Sequence, residues 1–354
     1  MADSGKKVTI NDVAKAAGVS KGTVDRVLHD RGEVSRKSRE KVLHVVKELG
    51  YRPNMYASML ASHKQHVIAC IIPEYVEGDF WSLTAKGVRD VTEAVSRYGV
   101  TIQMLTYDQY DIRSFREACA SVMGMNPSGV ILAPMFRKDT LHLASQLTER
   151  GIPYVYVDSK IDEDDSYLAY FGMPMYQSGY LCGDILVNGA KVDKVHVIRI
   201  ERDKTGHSDP TLERREGFMD YMAAHSPETE IVNVFIDPKS PEDINAKLDT
   251  VFADDTVSCR HIVMFNSRIH LVAEYMRARG VMNCRTVGFD FLEKNVTAMK
   301  EGYVSALIAQ HADRQASSAV NALIDDIIHG IHAPKRDNYT QLDIINRYNC
   351  EYYM

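Results

Sequence analysis

Lys21, Gly22, Asp25 and Arg26 fall together on a short helical stretch, and their types suit the edges of DNA bases. Arginine presents a fork of donors to guanine O6 and N7, and lysine a compact charge for guanine or phosphate. Gly22 costs a helix about 1 kcal/mol relative to alanine, which a close approach of backbone to DNA would explain. Asp25 is the awkward member. Near phosphates it costs affinity, yet it can accept from a cytosine amino group or orient Arg26. The alternative for all four is a solvated polar helix face.

Such side chains need a scaffold, and the flanking sequence supplies one. Ile10, Val13, Ala14 and Ala17 recur at helical spacing behind Thr9, an N-cap with Asp12 in the first turn. Gly18 gives a turn, and Ser20 caps a second helix with Val24, Val27 and Leu28 facing inward. After Ser35 a third stripe runs through Val42, Val45, Val46 and Leu49, closed by Gly50. Three short helices with a tight turn between the first two make a helix-turn-helix module over residues 1–50. Thr9, Lys21, Gly22, Thr23, Asp25, Arg26 and His29 are its expected DNA contacts.

Charge is divided to match. Residues 1–66 hold 13 Lys and Arg against 7 Asp and Glu, and the rest hold 29 against 41. A basic head on an acidic body suits a protein that presents only its head to nucleic acid. Between them, residues 51–66 read as a linker. Pro53 forces Arg52 out of helical geometry, so a two-turn helix can run from Asn54 to Ser62, too short to be stable alone.

Three segments in this region, "VTINDVAKAAGVSKGTVDRVLH", "VSRKSREKVLHVVKELGY" and "RPNMYASMLA", resemble in order and spacing the LacI family of bacterial transcription regulators. The resemblance implies a linker helix that orders on DNA, with Leu60 as a minor-groove wedge and Asn54 and Ala57 beside it. An apolar wedge unstacks a base step and kinks the duplex in return for more contact. The alternative is that Met55, Met59 and Leu60 pack the linker on the body.

From Val67 short apolar runs alternate with helical segments: "VIACIIP", "VTIQMLT", "GVILAP" and "IPYVYVD", then "KVHVIRI", "EIVNVF", "RHIVMF" and "CRTVGFD". Two such sets argue for two α/β lobes with parallel sheets. Residues 67–354 resemble the two-lobed, type I periplasmic-binding-protein-like sensor domain of the same family. This implies three crossings between lobes and a ligand in the cleft. One lobe is expected over about 67–170 and 303–331, the other over about 172–301 and 332–354.

Ligands in open α/β sheets bind beyond the carboxyl ends of strands. Asp158, Asn266, Asp290 and Gln310 all stand there. Phe80 and Trp81 match the aromatic pair that stacks on a sugar ring in relatives, and Arg214 matches a ligand-binding arginine. Carboxylate, amide and guanidinium groups give the directional hydrogen bonds a sugar or polyol needs, and aromatic faces cover its C–H patches. Each has a plainer alternative: Asp158 as a helix cap, Trp81 as core, Arg214 as a surface charge. Ser159, Met173-Pro174-Met175 and Asn266-Ser267 depart from the family pattern and make the cleft less polar.

Six cysteines in no metal spacing, no export signal, and no apolar run near the ~20 residues that span a bilayer point to a reduced, cytoplasmic setting. No catalytic or metal motif is present, so neither enzyme activity nor a cofactor is expected. The expected partners are double-stranded operator DNA, a small sugar or polyol effector and a second copy of the chain, since helix-turn-helix dimers read paired half-sites. The rival from another class is a solute-binding protein for sugar uptake.

Overall fold

The computed structural model describes residues 8–28, 32, 34–49, 51, 65–200, 211–254, 257–333 and 335–353. The chain divides into two compact units, Met1–Lys64 and Gln65–Met354.

In the first unit, α1 (Ile10–Ala17), α2 (Lys21–Leu28) and α3 (Arg36–Glu48) pack around Val13, Val24, Val27, Val42 and Val45. Thr9 and Asp12 form the reciprocal capping box that starts α1. Gly18 ends it in the left-handed conformation (φ 66°), where a side chain would be strained. Ser20 accepts from the Thr23 amide at 3.1 Å and Ser35 caps α3. One expected core residue is displaced. Leu49 falls past the last turn of α3 and is exposed, and the aromatic ring of Tyr51 takes its place in the core.

The second unit opens with β1 (His66–Pro73), α4 (Phe80–Ser96), β2 (Val100–Tyr107) and α5 (Ile112–Met125). Then follow β3 (Gly129–Leu132), α6 (Arg137–Glu149), β4 (Tyr154–Asp158) and β5 (Ala169–Gly172). The first five strands form a parallel sheet in the order β5-β4-β3-β1-β2. The chain then crosses to a second lobe: α7 (Met175–Val187), β6 (Lys194–Ile200), α8 (Leu212–His225), β7 (Glu230–Ile236) and α9 (Pro241–Phe252). It continues through β8 (Arg260–Met264), α10 (His270–Arg279), β9 (Cys284–Phe289), α11 (Glu293–Lys300) and β10 (Ala306–Ala309), in the equivalent order β10-β9-β8-β6-β7. Strands β3 and β4 are buried throughout and β1 from Ile68 to Pro73, as parallel strands covered by helices on both faces must be.

The expected lobe boundaries need correction. Residues 303–331 do not belong together: β10 pairs in register with β9, Ala306 opposite Val287, and so completes the second sheet. Only from α12 (Ala312–Ile324) does the chain return to the first lobe, where Ala316, Val320 and Leu323 join the core. The tail is split as well. β11 (Asp337–Tyr339) extends the first sheet beside β5, and β12 (Asp343–Ile345) runs antiparallel to β10 in the second. The crossings are held side by side by Thr340, whose amide donates to the Gly172 carbonyl at 2.8 Å and whose hydroxyl lies 2.9 Å from the Gln310 carbonyl.

Candidate functional site

On α2, Lys21, Gly22 and Arg26 are exposed, while Thr23 and Asp25 are half-buried. The Arg26 Nε donates to the Gly22 carbonyl at 3.2 Å, which steadies the guanidinium along the helix. The Thr23 hydroxyl pairs with Ser20 at 2.9 Å, and the Thr9 hydroxyl with the Asp12 carboxylate at 2.7 Å, so both serve local caps. A Cβ at Gly22 would meet no atom of the described residues closer than 3.9 Å. Packing among the described residues therefore does not require glycine there. His29, Asn54, Ala57 and Leu60 lie outside the described residues.

In the second unit Asp158, Asn266, Asp290 and Gln310 stand at the carboxyl ends of strands, while Phe80 and Trp81 open α4 and Arg214 lies on α8. Asp158 ends β4 and Asp290 follows β9, the fourth strand of each lobe, and both adopt the left-handed backbone (φ 67° and 71°). Asp290, Gln310 and Arg214 are joined. The Gln310 Nε2 donates to Asp290 Oδ1 at 2.9 Å, and its Oε1 accepts from Arg214 Nη2 at 3.2 Å. Arg214 also donates to the Phe265 carbonyl at 2.7 Å, faces the Met173 sulfur, and lies 4.5 Å over the Phe289 ring. It is only 4 % exposed, yet its Nε has no hydrogen-bond partner among the described residues.

This buried setting shifts the acid. Burial pushes the Asp290 carboxyl up to about 6, against the pull of Arg214 and the hydrogen bond from Gln310. Glu213, beside Arg214 on α8, is also raised, by partial burial and then by the Asp162 carboxylate.

Other expected residues behave differently. Trp81 is buried in the first lobe's core, edge-on to Phe80 at 4.9 Å, so of the pair Phe80 keeps more exposure. Asn266 turns its Oδ1 to the Arg268 amide at 3.1 Å and braces its own loop. A cavity of about 470 Å³ opens beside this cluster, lined by Ser159, Lys160, Tyr170, Met173, Glu213 and Tyr339 among others. Tyr170 links the two halves: its hydroxyl donates to the Asp158 carbonyl at 2.9 Å, and Glu213 and Arg214 both act on it electrostatically. Lys160 is anchored by Asp337 at 2.6 Å. Lys160, Tyr170, Glu213 and Tyr339 escape sequence reasoning because the lobe crossing, not spacing, assembles them.

Comparison with known proteins follows the same division. Residues 68–329 match the periplasmic binding protein domain, and residues 9–54 match bacterial regulatory proteins of the lacI family. The chain is similar to the ribose operon repressor of Halalkalibacterium halodurans, 33% identical over 156 residues that make up 44% of each protein. The match thus spans less than half the length of that relative. Among solved structures, a LacI transcriptional regulator from Bacteroides fragilis is 32% identical with a TM-score of 0.77, over 82% of this chain and 100% of that one. An ABC transporter solute binding protein from Agrobacterium vitis, bound with alpha-D-tagatopyranose, has a TM-score of 0.68 at 21% identity, over 80% of this chain and 96% of that one. At that identity the likeness is one of fold.

Proposed function

The chain belongs to the lacI family of bacterial regulatory proteins, and from that premise we propose a cytoplasmic transcription regulator whose grip on DNA is set by a small polar ligand. The ligand, a sugar or polyol, lies between the lobes, where Arg214, Asp290, Gln310 and Phe80 contact it. The observation that carries this reading is Arg214 itself. A buried guanidinium donor without an acceptor costs about 1–3 kcal/mol, which a ligand hydroxyl would recover. Ligand binding then favours one lobe arrangement, and through the linker changes the affinity of a homodimer for paired half-sites. The solute-uptake alternative has the body's fold on its side, but it leaves the basic three-helix unit without a role.

The test is binding of the full chain to a duplex selected from a random pool, with and without a panel of pentoses, hexoses and polyols. Arg26→Ala is expected to weaken binding by about 10- to 100-fold at a guanine-containing site, the worth of one bidentate base contact. Gly22→Ala is expected to split the two properties. It stabilises the exposed helix by about 1 kcal/mol in thermal melts, because nothing among the described residues opposes the methyl group, yet lowers operator affinity. A chain that retains no duplex at low salt, where phosphate contacts are strongest, is not a DNA-binding regulator.

A further inference from the structure

Asn295 belongs to no expected site, yet it is fully buried in the first turn of α11, beside the loop that carries Asp290. Its Nδ2 donates to the carbonyls of Ser267 and Phe289, both at 3.0 Å, and lies 3.2 Å from that of Asp290. Its Oδ1 accepts from the His270 amide at 3.2 Å and lies 3.1 Å from the His270 ring Nδ1. One side chain thus ties the loop after β8, which carries Asn266 and Ser267, to the loop after β9, which carries Asp290. The Ser267 side chain in turn helps to hold the Asp290 carboxyl down against its burial.

The arrangement has a physical purpose. Asp290 holds a left-handed backbone that a non-glycine residue adopts only where its surroundings over-determine it. The carbonyls of Phe289 and Asp290 both meet the Asn295 amide, at 3.0 and 3.2 Å. An amide is the group that can satisfy several carbonyls while accepting from a helix N-terminus; a carboxylate or an apolar side chain cannot do both. We propose that Asn295 is a positioning residue that locks the two second-lobe loops into one rigid arc and so holds Asp290 in place for the ligand. The ligand half of this proposal rests on the function proposed above; the locking half does not.

The test separates the halves. Asn295→Ala and the isosteric Asn295→Asp are compared with wild type by amide hydrogen exchange in the full chain, with no ligand added. Loss of several hydrogen bonds at once is expected to speed exchange by about tenfold or more in both segments, 266–270 and 289–292, and to leave the first lobe's sheet unchanged. In the alanine variant the Asp290 carboxyl, followed by carbon-13 NMR and assigned with Asp290→Asn, is expected to fall from its raised value toward that of a solvated carboxyl. The titratable and charged groups that act on Asp290 are Arg214 and His311, and neither is altered. Wild-type exchange in the isosteric variant, or acceleration in one loop alone, overturns the lock. D-ribose, D-tagatose and myo-inositol then serve as probes in thermal shift. A probe that stabilises wild type should bind about tenfold or more weakly to Asn295→Asp, and equal affinity overturns the ligand half. If no probe stabilises wild type, the ligand reading of the cleft fails for these classes while the exchange result still decides the lock.

Discussion

Gly179→Ala is expected to lower the melting temperature of the chain by about 6–12 °C. The helices α7 and α8 approach so closely that their glycines face the opposite backbone. A Cβ on Gly179 would fall inside the Arg214 carbonyl, and one on Gly217 inside the Tyr176 carbonyl. Gly183 lies under the Tyr221 ring in the same way. Overpacking costs about 1–3 kcal/mol and more where nothing yields. Here the obstacle is main chain, so the upper end applies, and each kcal/mol moves the midpoint of a large domain by about 2–4 °C. Gly217→Ala should cost as much alone but less on top of Gly179→Ala, since helices already separated accommodate a second methyl group. Gly124→Ala on α5 is the control: a Cβ there meets nothing among the described residues within 4 Å, and the variant should melt no lower than wild type. A Gly179→Ala midpoint within about 2 °C of wild type would show that the helices are not held at this distance.

The same contact explains why Arg214 is so deeply set. It lies one turn before Gly217, and the close approach of α8 to α7 carries its guanidinium under Phe265 and against Phe289. The order "ERREGF" displays the arginine and the glycine, but not that the second seats the first. Parallel strands are the most legible elements, because burial on both faces leaves unbroken apolar runs, and those of β4, β8, β9 and β10 end where a candidate residue stands. Lobe membership is much less legible. "ALIA" in β10 reads like any buried strand, and only the free edge beside β9 decides that it closes the second sheet. Tyr51 in place of Leu49 has a similar cause, since a chain that folds back past a helix end escapes the helical period. The Met173 departure is visible in the sequence, whereas its role as a neighbour of Arg214 needs the crossing geometry.

Asp290→Asn is expected to make the protein more stable and less responsive, with a pH dependence that identifies the cause. The wild-type carboxyl is 2 % exposed and titrates near 6, above the ordinary value of 3.8 it regains on unfolding. A carboxyl raised by folding contributes its full stability below the unfolded value, where it is protonated in both states. That contribution drains away as pH rises from about 4 through 6, because the folded state must then hold a buried charge. Two units correspond to about 3 kcal/mol, so the wild type forgoes roughly that much at neutral pH. Asparagine keeps an acceptor for Gln310 Nε2 and never ionises. Its advantage over wild type should therefore be near zero at pH 4, grow to about 3 kcal/mol by pH 7, and stay level above that. Urea unfolding at several pH values measures it. The same substitution removes a charged acceptor from the cleft, and hydrogen bonds to charged groups are worth about 1.5–3 kcal/mol. Any sugar that stabilises wild type should therefore bind the variant about 10- to 100-fold more weakly. A gain in stability that is equal at pH 4 and pH 7 would place the carboxyl outside the buried relay with Gln310 and Arg214.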